Sequence, residues 1–302
     1  MAGNLIFLRR RIKSVKNTQK LTKAMKTVAA AKLRRASGEL KRSRAYREKI
    51  TQLLHEAGGR ALLQDQPFQG TEATPRPLLQ GNRQGAALLV VVAGDKGMCG
   101  AFNSHVLKQG EARYRELAAA GEVILVTVGA KAGRHFAKRG LEPKKAYNGM
   151  ISRLQFADAQ RLADDLQELF LAAGLRSVEF AFNEYVSASK QQFSLRRLFP
   201  VEVAATPAAD GTAAGAEGYI FEPGADAIFQ ALLPRYVAAV VFQVLLQSVA
   251  AEQVARMVAM DLATRNASDM IKGLTLQLNK MRQAAITKEL LEIITATEAL
   301  NK

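Results

Sequence analysis

Apolar and polar positions follow a helical period over the first and last parts of the chain. From Leu5 to Ala57, apolar or small residues recur at alternating spacings of three and four, which is typical of a helix packed along another helix. The same period resumes at Ala225 and continues to Leu300. The positions predicted to face the partner helix are Leu8, Ile12, Val15, Thr22, Met25, Ala29, Leu33, Ala36 and Leu40 in the first helix and Val237, Val241, Val244, Ala251, Ala255, Val258 and Leu262 in the second.

The middle of the chain has a different pattern, in which short β-branched runs alternate with helical segments. The predicted strands are 86–93, 122–128, 177–186 and 192–203, and the predicted helices between them are 102–119, 130–139 and 157–173. Alternation of this kind indicates a small α/β domain with a largely parallel, Rossmann-like sheet.

Proline and glycine, which helix interiors exclude most strongly, support two long terminal helices. All eight prolines lie between Pro67 and Pro234. The helices would be roughly 80 Å and 100 to 115 Å long, and we expect them to pair as an antiparallel coiled coil. The second would overhang the first by about 20 to 35 Å, so its last turns need cover from another protein. The predicted segments are a coiled-coil helix at 1–57, a connector at 58–85, the α/β domain at 86–205, a flexible loop at 206–224 and a coiled-coil helix at 225–302.

Positive charge is concentrated at one end of the chain. The net charge is +16, and residues 1–50 alone hold 16 Lys and Arg against Glu39 and Glu48. This segment should therefore meet an acidic partner. A nucleic-acid arm is one alternative, because some basic helices that continue into a coiled coil enter the major groove. Only Phe7 and Tyr46 could stack on a base, so an acidic protein surface is the preferred partner.

Enzyme chemistry has little support in the residue pattern. The turn at 94–100, GDKGMCG, lies between a strand and a helix but lacks the Gly-Lys-Ser/Thr ending of a phosphate loop. It is read as a tight turn with Cys99 as a small buried residue, while a nucleotide-binding enzyme stays a third possibility. His55, His105 and His135 are isolated in sequence, so no metal site, catalytic residue or cofactor is expected. The longest unbroken apolar run has eight residues, too few for a membrane span.

Several longer segments of the chain carry a family resemblance, among them 12–25, IKSVKNTQKLTKAM, and 95–103, DKGMCGAFN. These two segments resemble the N-terminal helix and the central turn of the gamma subunit of the F-type ATP synthase. The other matching segments are 28–32, 219–223, 248–260 and 279–290. Ala296-Thr297 departs from the family's usual Gly-Ala, and the two cysteines of the photosynthetic form are missing. The lack of an organelle targeting peptide favours a bacterial form, on the cytoplasmic face of the inner membrane.

The resemblance implies a non-catalytic rotor in a central stalk, with no cofactor or metal of its own. Its implied partners are the alpha and beta subunits, the epsilon subunit and the ring of c subunits. It further implies a catch against the alpha and beta subunits and a contact with the c ring. The catch residues are Met25 and Lys26, expected at one level with Arg282, Gln283, Thr287 and Glu289, and the c-ring contact residues are Tyr219 and Glu222.

Overall fold

The computed structural model describes residues 2–63, 76–187, 190–202, 221–222 and 224–300. The chain divides into two compact units, one formed by Met1–Ala30 with Arg256–Lys302 and the other by Ala31–Ala255. Both terminal helices contribute residues to both units. The elements are α1 Ala2–Leu63, α2 Arg76–Gln80, β1 Ala87–Val92, α3 Phe102–Ala119, β2 Val123–Val128, α4 Ala130–Ala137, β3 Lys145–Tyr147, a 3-10 turn Ile151–Arg153, α5 Phe156–Ala172, β4 Ser177–Ser187, β5 Lys190–Phe199 and α6 Ala225–Leu300.

A five-stranded sheet forms the centre of the larger unit, in the order β3-β2-β1-β4-β5. The first four of these strands are parallel, and β5 runs antiparallel to β4. The predicted α/β domain between two long helices is therefore confirmed. The strand β5 ends before Pro200, which has no N–H to donate to a sheet ladder.

Side chains of β1 alternate between two apolar clusters on opposite faces of the sheet. Leu88, Val90 and Val92 lie in a cluster with residues of α5, α1 and α6, whereas Leu89 and Val91 pack with residues of α3 and α4. Because both faces are covered, every residue of β1 is buried. This burial explains why the strand appears in the sequence as one continuous apolar run.

The terminal helices differ from the prediction in where they end and in which residues they bury. α1 continues six residues beyond Ala57, through Gly58 and Gly59 to Leu63. Leu54 and Ala57 are fully buried in the core, and this packing offsets a glycine penalty of about 1 kcal/mol each. In α6, the predicted stripe is correct from Val237 to Ala255. It is wrong at Val258 and Leu262, which are exposed, since Met260 and Ala267 are buried instead.

Short elements went undetected in the sequence. The predicted connector at 58–85 contains α2, whose Leu78 is buried and accepts a backbone hydrogen bond from Val201 at 2.9 Å. The strand β3 has only three residues, too few for a period-two pattern to show. Of the predicted loop at 206–224, residues 206–220 and 223 lie outside the described residues. The division of the chain into five segments stays a prediction.

Among the residues that the structure describes, one helix is long and apolar enough to cross a membrane by length and composition alone. An 18-residue window within Ala227–Thr297 has a mean hydropathy of 1.6, yet 56% of that window is buried inside the protein. The core helix of a protein that never enters a membrane passes the same test. The buried positions of α6 in the main core account for this hydropathy.

Gly38, in the middle of α1, offers a direct test of helix stability. A Cβ added there would meet no atom within 4 Å. Gly38→Ala should therefore raise the free energy of unfolding by about 0.4 to 1 kcal/mol, because alanine favours the helix and restricts the unfolded chain. Gly129→Ala is the contrasting variant, since Gly129 has a φ of 94° and its Cβ would lie 1.9 Å from the Ala93 carbonyl oxygen. Chemical denaturation should show opposite shifts, and a destabilised Gly38→Ala would contradict the open environment of Gly38.

Candidate functional site

The carboxylate of Asp95 joins the glycine-rich turn after β1 to neighbouring loops. Backbone N–H groups of Ala130 and Gly149 donate to Asp95 Oδ1 at 3.0 and 2.8 Å. The N–H and hydroxyl of Ser152 donate to Asp95 Oδ2 at 3.2 and 3.0 Å. One side chain thus connects the loops that follow β1, β2 and β3.

This arrangement leaves the turn poorly suited to phosphate. In open α/β sheets, ligands bind outside the carboxyl ends of the strands, and helix N-termini bind anions there. At α4, the Asp95 carboxylate already accepts the N–H of Ala130, and its negative charge would repel a phosphate group. The geometry therefore favours the predicted tight turn over nucleotide binding.

Cys99 is a buried structural residue of the same turn. Asn103 donates from Nδ2 to Cys99 Sγ at 3.2 Å, and Asn103 Oδ1 accepts the Gly94 N–H at 2.8 Å. Met98 takes a φ of 59° beside Cys99, as expected of a tight turn. Among the described residues, no group of three His, Cys, Asp or Glu side chains could hold a metal ion.

A charged cluster between α3 and α4 was missed by the sequence reasoning. Glu111, only 9% exposed, accepts from Arg115 at 2.6 Å, from Arg139 at 2.8 Å and lies 3.1 Å from His135 Nε2. Burial alone would raise the pKa of Glu111. The His135 hydrogen bond and the charges of Arg139 and Arg115 outweigh burial and hold that pKa below its ordinary value of 4.5. His135 is thus close to a carboxylate 24 residues away, which sequence spacing did not reveal.

The smaller unit is an antiparallel pair formed by the outer parts of α1 and α6. The hydroxyl of Thr264 donates to Thr22 Oγ1 at 2.8 Å, and Lys26 Nζ donates to Asp261 Oδ1 at 2.6 Å. Moving forward along α1 from Thr22 to Lys26 therefore corresponds to moving backward along α6. The Lys26 hydrogen bond, with help from the charge of Arg265, lowers the pKa of Asp261.

This register corrects the expected level of Met25 and Lys26. Lys26 pairs with Asp261, and Arg282 lies 21 residues further along α6, about 32 Å away at the helical rise. The two groups of predicted catch residues therefore do not share a level. The expected shared level was wrong because a sequence resemblance within each helix carries no information about how α1 and α6 align with each other. Met25 and Lys26 are both half-buried in the pair.

The four C-terminal catch residues all lie on the exposed surface of α6. Arg282, Gln283, Thr287 and Glu289 are exposed, and the Thr287 hydroxyl donates to the Gln283 backbone carbonyl at 3.0 Å. The structure thus leaves their side chains accessible to a partner. Of the two predicted c-ring contact residues, Glu222 is exposed and Tyr219 lies outside the described residues. The roles of all these residues stay predictions.

Exposed apolar side chains are concentrated in the smaller unit. Among the described residues, 13 of the 19 exposed large apolar side chains belong to it. An isolated exposed leucine is ordinary, but a concentration of this size on one pair of helices indicates an interaction surface. The members are Ile6, Phe7, Leu21 and Val28 of α1 and Val258, Leu262, Met270, Leu276, Ile286, Leu290, Leu291, Ile293 and Ile294 of α6.

Comparison with known proteins gives the family. A family model described as ATP synthase matches residues 4–300. The ATP synthase gamma chain of Salinibacter ruber is 39% identical over 315 residues, which cover 99% of both chains. That of Geobacter metallireducens is 39% identical over 299 residues, with the same coverage. The chain belongs to the ATP synthase gamma chain family.

Solved structures show that the fold is shared as well. The Euglena gracilis mitochondrial ATP synthase contains a chain that aligns with a TM-score of 0.64 at 18% identity, covering 99% of this chain and 95% of that one. The central stalk and c-ring structure of the Tetrahymena thermophila enzyme gives a TM-score of 0.57 at 22% identity, covering 80% and 99%. These chains of mitochondrial ATP synthases thus share the fold of two long helices and an α/β domain.

Glu111→Gln should destabilise the protein at neutral pH by about 1 to 3 kcal/mol, because a charged, buried hydrogen-bond acceptor is lost. A lowered pKa means that the wild-type advantage is complete above pH 4.5 and disappears as the pH falls through the lowered value. Urea denaturation at pH 7 and at successively lower pH measures this. Glu116→Gln, at an exposed position paired with Arg113, is the matched control and should change stability little. A pH-independent loss in Glu111→Gln would contradict the assignment.

Proposed function

We propose that the chain is the rotor subunit in the central stalk of an ATP synthase. It couples ion flow through the membrane sector to ATP synthesis or hydrolysis on the alpha and beta subunits. The observation that carries this proposal is the full-length match to gamma chains, which extends over both terminal helices and the α/β domain.

The smaller unit has the kind of surface that a shaft surrounded by other subunits requires. Both of its helices carry exposed large apolar side chains, and on α1 exposed basic residues lie between them. Different faces of such a pair present different side chains to each surrounding subunit. Rotation would then change the affinity of each catalytic subunit in turn, because each contact favours one conformation over another.

The shaft itself performs no bond chemistry in this proposal. ATP is bound and hydrolysed on the alpha and beta subunits, which agrees with the carboxylate-filled turn at Asp95. The epsilon subunit and the ring of c subunits hold the α/β domain and the foot of the stalk, with Tyr219 and Glu222 toward the ring. In a bacterial cell, this places the chain at the cytoplasmic face of the inner membrane as a peripheral component.

The exposed surface of α1 does not favour nucleic acid. Exposed apolar side chains lie between its basic residues, namely Ile6, Phe7, Leu21 and Val28. A phosphate backbone would give these side chains no apolar contact and would leave them exposed to water. Nucleic-acid interfaces are polar and strongly positive. A mixture of apolar and basic side chains instead fits a protein surface with acidic and apolar patches.

Reconstitution tests the rotor function. The purified chain alone should hydrolyse no ATP, and it should convert isolated bacterial alpha and beta subunits into a stable complex with steady ATPase activity. Omitting the chain is the control. Steady turnover by the chain alone, above contaminant level, or failure to join alpha and beta would contradict the proposal.

The catch at the end of α6 gives a sharper prediction. Replacing both Arg282 and Gln283 with Leu should lower ATP-driven proton pumping in reconstituted membranes at least several-fold, since each lost charge-assisted hydrogen bond costs about 1.5 to 3 kcal/mol. Melting temperature should stay unchanged, because both residues are exposed.

Lys272→Leu is the control for the catch, because Lys272 is exposed on the same helix and pairs with Asp269. This variant should pump normally. Full pumping by the Arg282→Leu, Gln283→Leu double variant would reject the catch, whereas lost pumping in an intact complex supports it.

A further inference from the structure

A groove of about 270 Å³ opens on the surface of the larger unit, between α1, α5 and α6. Tyr46 of α1, Phe156 at the start of α5 and Phe242 of α6 line the groove, and Ala239 of α6, the most buried of the four at 5% exposed, defines its floor. All of these residues belong to Ala31–Ala255, so the groove forms within one compact unit. Pockets for drug-sized ligands measure about 300 to 1,000 Å³, so this one suits a smaller molecule.

Aromatic rings dominate the lining and remain available for contact. The rings of Phe156 and Phe242 meet edge to face with centroids 5.4 Å apart, which fixes their orientation. Phe156 is nevertheless 44% exposed and Tyr46 is 51% exposed. Two large aromatic side chains left half in water beside a small-residue floor provide stacking surface for a flat ring.

The charge at the lip of the groove is positive. Glu39 lines the groove but pairs with Arg35 at 3.4 Å, whereas Arg42 makes no ion pair within the described chain. The single hydrogen bond of Arg42 is a long one from Nε to the Gly38 carbonyl, at 3.4 Å, so its terminal nitrogens can serve a ligand. Residues 31–50 hold eight Lys and Arg against two Glu. An anion is therefore attracted to this lip and a cation is not.

We propose that this groove is a binding site for a small planar aromatic anion, of the aryl carboxylate class. The ring lies on Ala239 between Tyr46 and the Phe156–Phe242 pair, and the carboxylate accepts hydrogen bonds from the Arg42 guanidinium. Such a site is independent of the rotor function, because it needs only residues of this chain. A fragment of this size should bind with a dissociation constant of about 1 mM or tighter.

Ligand-observed NMR titration of the full chain with 2-naphthoate tests the site. Ala239→Met, which fills the floor, should weaken binding about tenfold or more by steric exclusion. Arg42→Gln should weaken it by about tenfold through loss of a charge-assisted hydrogen bond, without changing the melting temperature. Arg44→Gln is the matched control, since Arg44 is exposed on the same helix, pairs with Glu48 and does not line the groove.

A charge series completes the test. The cation 2-naphthylmethylammonium should bind several-fold more weakly than 2-naphthoate, because Arg42 repels it. The uncharged 2-naphthalenemethanol should be insensitive to Arg42→Gln but should lose binding in Ala239→Met. Absence of 2-naphthoate binding, binding that neither Ala239→Met nor Arg42→Gln weakens, or equal binding of the cation would each overturn the proposal.

Discussion

Packing of the two terminal helices into the core of the α/β domain is the interaction on which the rest of the fold depends. Leu54 and Ala57 of α1 and Val237 and Val241 of α6 lie in the same buried cluster as alternate residues of β1. Neither helix could bury its apolar stripe alone, since helices in proteins gain most of their stability from tertiary packing. The sheet thus anchors the parts of both helices that belong to the larger unit, and these parts cover one face of the sheet in return.

In the described residues of the smaller unit, the two helices have no sheet to pack against, and the surface of the unit reflects that difference. Its buried residues include Leu8, Ile12, Ala29 and Met260, and its two helices are joined by the Thr22–Thr264 hydrogen bond and the Lys26–Asp261 pair. In a pair of helices, each helix is covered only on the side that faces its partner. Large apolar side chains on the other sides therefore remain exposed. In the proposed rotor, the surrounding subunits cover these side chains. Their exposure in the isolated chain is then the exposure of an interface without its partners.

Much of the fold could be predicted from the sequence, because its strongest signals are long and periodic. Helix α3 was predicted at its observed bounds, and β1 was recognised from its unbroken apolar run. Failures occurred where the deciding contact is distant in sequence. The pairing of His135 with Glu111 and the register of Lys26 against Asp261 depend on three-dimensional packing, and β3 is too short to carry a pattern. The exposure of Arg282 and Gln283 agrees with the proposed catch, whose partner would belong to another chain.

Direct observation of rotation tests the central claim that this chain is a shaft. The single cysteine, Cys99, is buried, so a cysteine placed at exposed Lys108 on α3 can carry a bead selectively. With the alpha and beta subunits fixed to a surface, ATP should drive the bead in one direction and in discrete steps. A complex that hydrolyses ATP while the bead shows only undirected Brownian motion would contradict the account.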